Sequence, residues 1–381
     1  MTVVVNGVSA KVGGGAIYIR ELARELAERG VRDRFIFFVP PEHADQQATL
    51  PPNIEWRVTS IGHAGVVQRL WWDQVALPAI LKREGADVLF SVANFGPLFC
   101  PVPQVLLIQN HLYSSLLYRS RFLPRKPWRF RLAFALRSWL QRLSVRRATV
   151  VMTPSRAQLE ELLATGFAPR GPVRINHFGT RISARRERPA EEPRRPFRLL
   201  YPTFYYEHKN LGTLLEAVKR LRQGYGLEVE LLTTADPNSA LAQGAATASA
   251  DRELARDPVL ASCVRFIESR SPEKMAELYA SSDLFVYPTL VESFGLPLIE
   301  AMACGLPVVA SDIPINRELA GAAPLYFQPF DVVELTDRIA QVVREPALRD
   351  SMSRASLEQS RSYTWSAHVD RLLKILEEVR G

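Results

Sequence analysis

The sequence predicts an α/β protein built from two successive parallel-sheet domains. Three observations carry this. Short apolar runs alternate with helix-period segments through almost all of the 381 residues, the pattern of repeated strand–helix units. The alternation breaks once, at Thr180–Pro196 (TRISARRERPAEEPRRP), a charged, proline-containing stretch with no apolar period that reads as a linker. The alternation then restarts. At roughly 100–200 residues per domain, the length suits two or three such bodies.

In the first half, strands are expected at Thr2–Asn6, Phe35–Val39, Asp87–Phe90, Val105–Ile108, Thr149–Met152 and Val173–His177. Ile19, Leu22, Ala23 and Leu26 recur at helix spacing, and Gly30 stops that helix. Further helices are expected near 67–84, 127–147 and 155–165, the last opened by Ser155 as N-cap and closed by Gly166. Beyond the linker, strands are expected at Phe197–Tyr201, Val229–Thr233, Val264–Ile267, Leu284–Tyr287, Val308–Ser311 and Leu325–Phe327. Helices are expected near 209–223, 272–281, 296–304, 331–344 and 364–380. Ser271-Pro272 supplies a cap followed by proline at the first helical position. Ligands of such sheets bind beyond the carboxyl ends of the strands, so two such domains facing each other would hold one ligand in the cleft between them.

Composition narrows the class. An apolar fraction of 47% and a charged fraction of 23% exclude a wholly disordered or fibrous chain. Cys100, Cys263 and Cys304 are too far apart for a disulfide framework or a zinc site, so a reducing cytosol is expected. The N-terminal MTVVVNGVSAKVGGG lacks the basic and apolar regions of a signal peptide. No run of ~18 uninterrupted apolar residues suggests a spanning helix. The net charge is +8, and with only seven lysines among 48 basic residues, arginine supplies most of it. No acidic residue occurs between Asp87 and Glu160, and positions 119–147 form a basic block.

Four segments invite chemistry. In PTLVESFGLPLIEAMACGLP, Pro288–Pro307, a strand precedes a loop carrying Glu292, and a helix beginning near Leu296 carries Glu300. The backbone of Phe294-Gly295-Leu296 would offer N–H groups at the positive end of that helix, where phosphate is attracted. Gly295 would let a ligand approach without a Cβ clash. A carboxylate beside phosphate is unfavourable, so sugar hydroxyls suit Glu292 and Glu300 better; two exposed acids around a buried helix is the plainer alternative. In YPTFYYEHKNL, Tyr201–Leu211, Lys209 sits at a strand–helix junction, placed to meet a phosphate as a point charge. In KVGGGA, Lys11–Ala16, a glycine-rich loop including Gly14 and Gly15 joins the first strand to the first helix, though it matches neither a dinucleotide fingerprint nor a P-loop. Gln109-Asn110-His111 follows the strand VLLI.

The spacing of Glu292 and Glu300, within ESFGLPLIEAMACGLPVV, resembles the E-x7-E signature of the family 4 retaining glycosyltransferases, which have the GT-B fold of two Rossmann-like domains facing across a cleft. VRFIESRSPEKMAELYASSDLFVYPTLVESFGLP resembles that family's base-binding strand, helix and signature, and MTPSRAQLEEL and VRINHFGT resemble pieces before its linker. The resemblance is strong for 197–310 and looser for 1–180. It implies an acceptor-binding domain over 1–185, a nucleotide-sugar-binding domain over 195–360, and a helix at 361–381 packing back on the first domain. It implies that Glu300 takes the nucleotide ribose, Glu292 the donor sugar and Lys209 the diphosphate, with the 294–296 amides facing sugar or diphosphate. It also places Gly14 and Gly15 near diphosphate and acceptor.

The sequence departs from the family in two places. The arginine often found several residues before the lysine is missing between Tyr201 and His208, so either His208 or an arginine from elsewhere such as Arg270 assists, or Lys209 acts alone. The family's histidine–aspartate pair falls on Gln109-Asn110, which displaces His111 and leaves it either at the reacting centre or an ordinary histidine. Gln109, Tyr205 and Arg270 are further candidates for donor contact. No Asp-x-Asp occurs, which fits leaving-group stabilisation by Lys209 and helix N–H groups, with no metal or other cofactor expected.

Within the basic block, a helix over 127–147 puts Trp128, Leu132, Leu136, Trp139 and Leu143 on one stripe, read as core. Arg131, Arg137 and Arg142 then lie outside with Phe130, Phe134 and Val145, a face that suits an anionic membrane surface or is simply solvated. No nucleic-acid module accompanies it. The expectation is a metal-independent retaining hexosyltransferase, moving a sugar from a nucleotide diphosphate donor to a glycan or lipid-linked acceptor. Polysaccharide or glycolipid synthesis is the expected setting, at a cytoplasmic location, with peripheral placement on the inner membrane face as an option. A sugar-nucleotide epimerase of the same fold and a silent sugar-nucleotide-binding protein are the alternatives.

Overall fold

A computed structural model describes residues 1–44, 50–92, 94–182, 196–268 and 272–381, with the side chains of 272 and 273 excepted. Most of the linker, residues 183–195, and Arg270 lie outside the described residues. The chain divides into two units. The N-terminal unit comprises Met1–Leu116, Pro127–Gly179 and Thr364–Gly381; the C-terminal unit comprises Leu117–Lys126 and Thr180–Tyr363.

The N-terminal unit holds strands β1 (Thr2–Asn6), β2 (Arg34–Val39), β3 (Ile54–Val58), β4 (Val88–Ser91), β5 (Gln104–Leu107), β6 (Val150–Thr153) and β7 (Val173–Ile175) in the order β3-β2-β1-β4-β5-β6-β7. The C-terminal unit holds β8 (Phe197–Tyr201), β9 (Val229–Thr233), β10 (Val264–Phe266), β11 (Leu284–Tyr287), β12 (Val308–Ser311) and β13 (Leu325–Phe327) in the order β10-β9-β8-β11-β12-β13. Each strand pair is parallel. Strands of such sheets are covered on both faces, which is why VVV of β1 and LFVY of β11 are apolar runs rather than alternating ones. Strand order reverses between β1 and β4 and again between β8 and β11. Such switch points open a crevice at the carboxyl ends of the strands.

Several elements escape the sequence pattern. β3, IEWRV, has polar residues at alternate positions and was not expected as a strand. Helices Ala248–Ala255, Pro258–Cys263, Pro314–Ala320 and Pro346–Ser360 were also not expected. The helix expected near 67–84 is interrupted by a π turn at Trp72–Ala76. The helix expected from residue 209 starts at Leu211, because Asn210 takes a left-handed conformation (φ 56°) that ends a 3₁₀ turn over Glu207–Lys209.

The C-terminal helix, Trp365–Arg380, belongs to the N-terminal unit. His368 is fully buried there, one ring nitrogen 2.9 Å from the Tyr18 hydroxyl and the other 2.9 Å from the His177 carbonyl. Burial pushes its pKa down to about 3. Asn176 donates to the His368 carbonyl at 3.1 Å, and Arg371 donates to Asn176 at 2.8 Å.

The reading of helix Trp128–Arg147 is reversed. Trp128, Leu132, Leu136 and Trp139, expected as core, are 67%, 63%, 47% and 54% exposed. The buried side is Phe134, Ser138, Gln141, Ser144 and Val145. This inward face is mostly small or polar, so apolar periodicity pointed to the wrong side. Two of the three arginines read as outward are tied to the fold. Arg142 donates to the Thr165 carbonyl at 2.6 Å and stacks over Phe167, and Arg137 is hydrogen-bonded to Tyr113. Among the described residues, no helix is long and apolar enough to cross a membrane.

Candidate active site

The C-terminal unit brings Lys209 and Glu292 together at its switch point. β8 pairs with β11, and the loops leaving their carboxyl ends carry Lys209 and Glu292 respectively. The Lys209 ammonium forms an ion pair with Glu292 Oε1, and the two side chains are only 13% and 12% exposed. The same oxygen accepts the Tyr287 hydroxyl at 2.7 Å and the Thr289 hydroxyl at 3.1 Å. Charge-assisted hydrogen bonds of this kind are the strong ones.

Each loop is pinned. The Tyr201 hydroxyl, at the end of β8, donates to the Lys209 carbonyl at 2.7 Å. The Asn210 amide donates to the Pro288 carbonyl at 3.2 Å, and the Leu290 N–H donates to the His208 carbonyl at 2.8 Å. One backbone bond and one side-chain bond thus stitch the two loops side by side. Burial, and after it the negative Glu292, hold the Tyr201 and Tyr287 phenols well above their ordinary pKa. Both are therefore protonated donors at neutral pH.

Glu300 lies on the following helix, Leu296–Ala303, half-buried, and accepts the Tyr279 hydroxyl at 2.8 Å. It is not the free surface acid of the plainer alternative. Gly295 caps the helix at φ 94°, a conformation that costs other L-residues ~1–2 kcal/mol. A Cβ there would also sit 3.2 Å from the Tyr287 hydroxyl. Pro297 has no N–H, and the Leu298 N–H is used by the Gly295 carbonyl at 3.0 Å. Pro297 and Leu298 thus offer no amide to an anion at this terminus. Phe294 is buried, edge-on to Tyr363 at 6.0 Å.

In the N-terminal unit, helix Gly13–Glu28 starts within the glycine run, so Gly14 and Gly15 occupy its first turn, where backbone N–H groups lack intrahelical partners. Gly15 lies close to Gln109, whose Oε1 would be 3.4 Å from a Cβ there. Asn94, with φ 64°, accepts the backbone N–H groups of both Gln109 and Asn110 at 2.6 Å. The Asn110 side chain accepts the Leu112 N–H at 2.9 Å. His111 is buried, its Nε2 paired with Glu161 of helix Arg156–Ala164. Burial opposes ionisation of Glu161, but hydrogen bonds from His111, Leu116 and Ser115 keep its pKa below the ordinary value.

Two further candidates are buried. Tyr205 is 1% exposed, and its hydroxyl hydrogen-bonds Asp251 and Thr247. His208 is buried between Tyr118 and Tyr206, stacking on the latter at 5.5 Å. Sequence reading missed Tyr287, Thr289, Tyr279 and Asn94. The first had a signal: a tyrosine ending an otherwise apolar strand, LFVY, puts a polar tip at the crevice.

Residues 12–183 match the family described as Glycosyltransferase Family 4, and residues 184–359 match Glycosyl transferases group 1. The chain is 35% identical over 102 residues to O-antigen chain mannosyltransferase B of Escherichia coli, a match covering 27% of each chain. The curated relatives are thus matched over about a third of their length or less in the first two cases. Among solved structures, sucrose-phosphate synthase from Thermosynechococcus elongatus superposes with a TM-score of 0.76 at 18% identity, covering 99% of this chain and 98% of that one. Anabaena Alr3699/HepE in complex with UDP-glucose superposes with a TM-score of 0.72 at 16% identity, covering 99% of this chain and 100% of that one. These neighbours and the two parallel sheets place the fold as GT-B. With both family matches adjoining end to end, this chain belongs to the family 4 glycosyltransferases.

Proposed function

We propose that this chain is a metal-independent retaining hexosyltransferase, moving a sugar from a nucleotide diphosphate donor to a glycan or lipid-linked acceptor in cell-surface polysaccharide or glycolipid synthesis. The observation that carries the reading is the Lys209–Glu292 pair at the β8–β11 switch point, with Glu300 on the next helix. A cation poised for a leaving diphosphate and carboxylates poised for hydroxyls are what a nucleotide-sugar needs. The Anabaena neighbour, crystallised with UDP-glucose, supports a donor of that class.

In this reading Lys209 neutralises the charge that grows on the diphosphate as the glycosidic bond breaks, and the 294–296 amides add fixed dipoles. Glu292, held by Tyr287 and Thr289, accepts from hydroxyls of the donor sugar. Glu300, oriented by Tyr279, accepts from the ribose. The leaving phosphate takes the acceptor's proton on the face it departs from, which retains the anomeric configuration. The N-terminal unit takes the acceptor. Gly14, Gly15, Asn110 and His111 keep the roles the resemblance implies, and Arg270 is assigned to the donor. Placement on the anionic inner face of a membrane, through residues 119–147, belongs to the same reading.

Thermal-shift screening against UDP-, GDP- and ADP-sugars identifies the donor. Incubation of that donor, radiolabelled, with a lipid extract then tests the reaction. Transfer with the donor's anomeric configuration, undiminished by EDTA, is expected. An epimerised sugar nucleotide, or binding without turnover, would contradict it.

A further inference from the structure

We propose that the exposed apolar stripe of helix Trp128–Arg147 is a bilayer-insertion surface, with Trp128, Leu132, Leu136 and Trp139 entering an anionic leaflet and arginines on its flanks meeting lipid phosphates. The inference rests on the peripheral placement proposed above and names the contact face.

Residues 128, 132, 136 and 139 recur every three or four positions and so share one side of the helix. That side is opposite the buried one, since Leu132 and Phe134 are two residues and ~200° apart on a 3.6-residue turn. All four side chains are close to half exposed or more. A continuous row of this size on the outside of a folded protein marks an interaction surface rather than chance exposure. Arg129 lies on one flank, Arg131 on the other and Arg146 in line with the row, all exposed. The Arg129 guanidinium stacks 5.4 Å from the Trp128 ring.

Charge selects the occupant. Every ionisable residue of this 20-residue helix is arginine. A second copy of the same face would bring like charges together, because a two-fold interface pairs a patch with itself. An anionic leaflet offers phosphates to the flanks and acyl chains to the stripe, and the two indoles suit the boundary between them. Six arginines forbid spanning, so the helix lies in the plane of the interface.

The test is co-sedimentation with phosphatidylcholine vesicles, with and without 30% phosphatidylglycerol, at low and high salt. Wild type should bind the anionic vesicles only, lose binding as salt rises, and show tryptophan quenching by brominated acyl chains. Replacing Trp128, Leu132 and Trp139 together by Gln should cut binding at least about tenfold and remove the quenching. Replacing Arg129 and Arg131 by Gln should weaken binding and flatten its salt dependence. Both variants should keep the thermal shift with donor, which reports a folded donor site. Wild type that ignores anionic vesicles at low salt, a triple variant that binds like wild type, or a wild-type dimer that the triple variant dissolves would each overturn the proposal. Vesicle binding without any donor shift upholds the surface and strikes the donor reading instead.

Discussion

Lys209 and Glu292, 83 residues apart in sequence, form a part-buried ion pair across the loops of two neighbouring strands. The pairing changes what each residue can be expected to do alone. Read from sequence, the lysine serves phosphate and the glutamate serves sugar. In the folded chain each holds the other, and Tyr287 and Thr289 fix the carboxylate between them. On the proposed reading, a donor arriving here would meet a preformed dipole rather than two independent side chains.

Tyr287→Phe should lower kcat with little change in donor KM. The ring is buried and keeps its packing, while Glu292 loses one charged hydrogen bond. Such bonds are worth about 1.5–3 kcal/mol, so a loss of roughly tenfold or more in kcat is expected if the bond acts in the transition state. Steady-state kinetics with saturating acceptor measure it.

Glu300→Gln should raise donor KM and leave kcat nearly unchanged, because the ribose barely moves during reaction and its contact is uniform binding. Tyr279→Phe should move KM the same way by less, since it acts through Glu300. A fall in kcat at unchanged KM in Glu300→Gln would move that residue to the reacting sugar.

Gly295→Ala should destabilise the C-terminal unit and weaken the donor site together. Its φ of 94° and the Tyr287 hydroxyl 3.2 Å from the new methyl both oppose the substitution. Calorimetry should show a lower Tm, by a cost on the order of 1–2 kcal/mol from the left-handed backbone alone. The donor-induced thermal shift should shrink in parallel.

Acid should destabilise the N-terminal unit through His368. Its folded pKa of about 3 lies below the ordinary ~6.5, first because it is buried. The unfolded chain therefore binds the extra proton between those values, so this contribution is full above pH 6.5 and is lost as pH falls toward 3. Urea midpoints at pH 7 and pH 4.5 check it: wild type should lose more stability over that interval than His368→Gln. Equal losses would mean that the imidazole does not titrate on unfolding.

Much of this was legible before any coordinates. Buried parallel strands are unbroken apolar runs, so the alternation and the restart after Thr180 carried the architecture. Lys209 could be picked out at a strand–helix junction, and Glu292 and Glu300 chiefly by the resemblance of their spacing to the E-x7-E signature. What failed has physical causes. β3 alternates IEWRV and lacks the apolar run that marked its neighbours. Three of the missed helices open on Pro258, Pro314 and Pro346, residues more readily read as loop. Helix Trp128–Arg147 buries Ser138, Gln141 and Ser144 and exposes tryptophan and leucine, so an argument from apolar periodicity inverts it. The Lys209–Glu292 contact needed the β8–β11 pairing, which no local pattern contains.

The most direct test of the central claim is donor turnover by wild type, Lys209→Ala, Glu292→Gln and the double variant, with nucleotide release and sugar transfer followed together. Each single change should lower kcat by about 10²-fold, the scale of one preorganised charged contact. The double variant should fall well short of the product of the two losses, because paired residues are not additive. Wild-type kcat/KM in both single variants would contradict the account and return Lys209 and Glu292 to a structural ion pair.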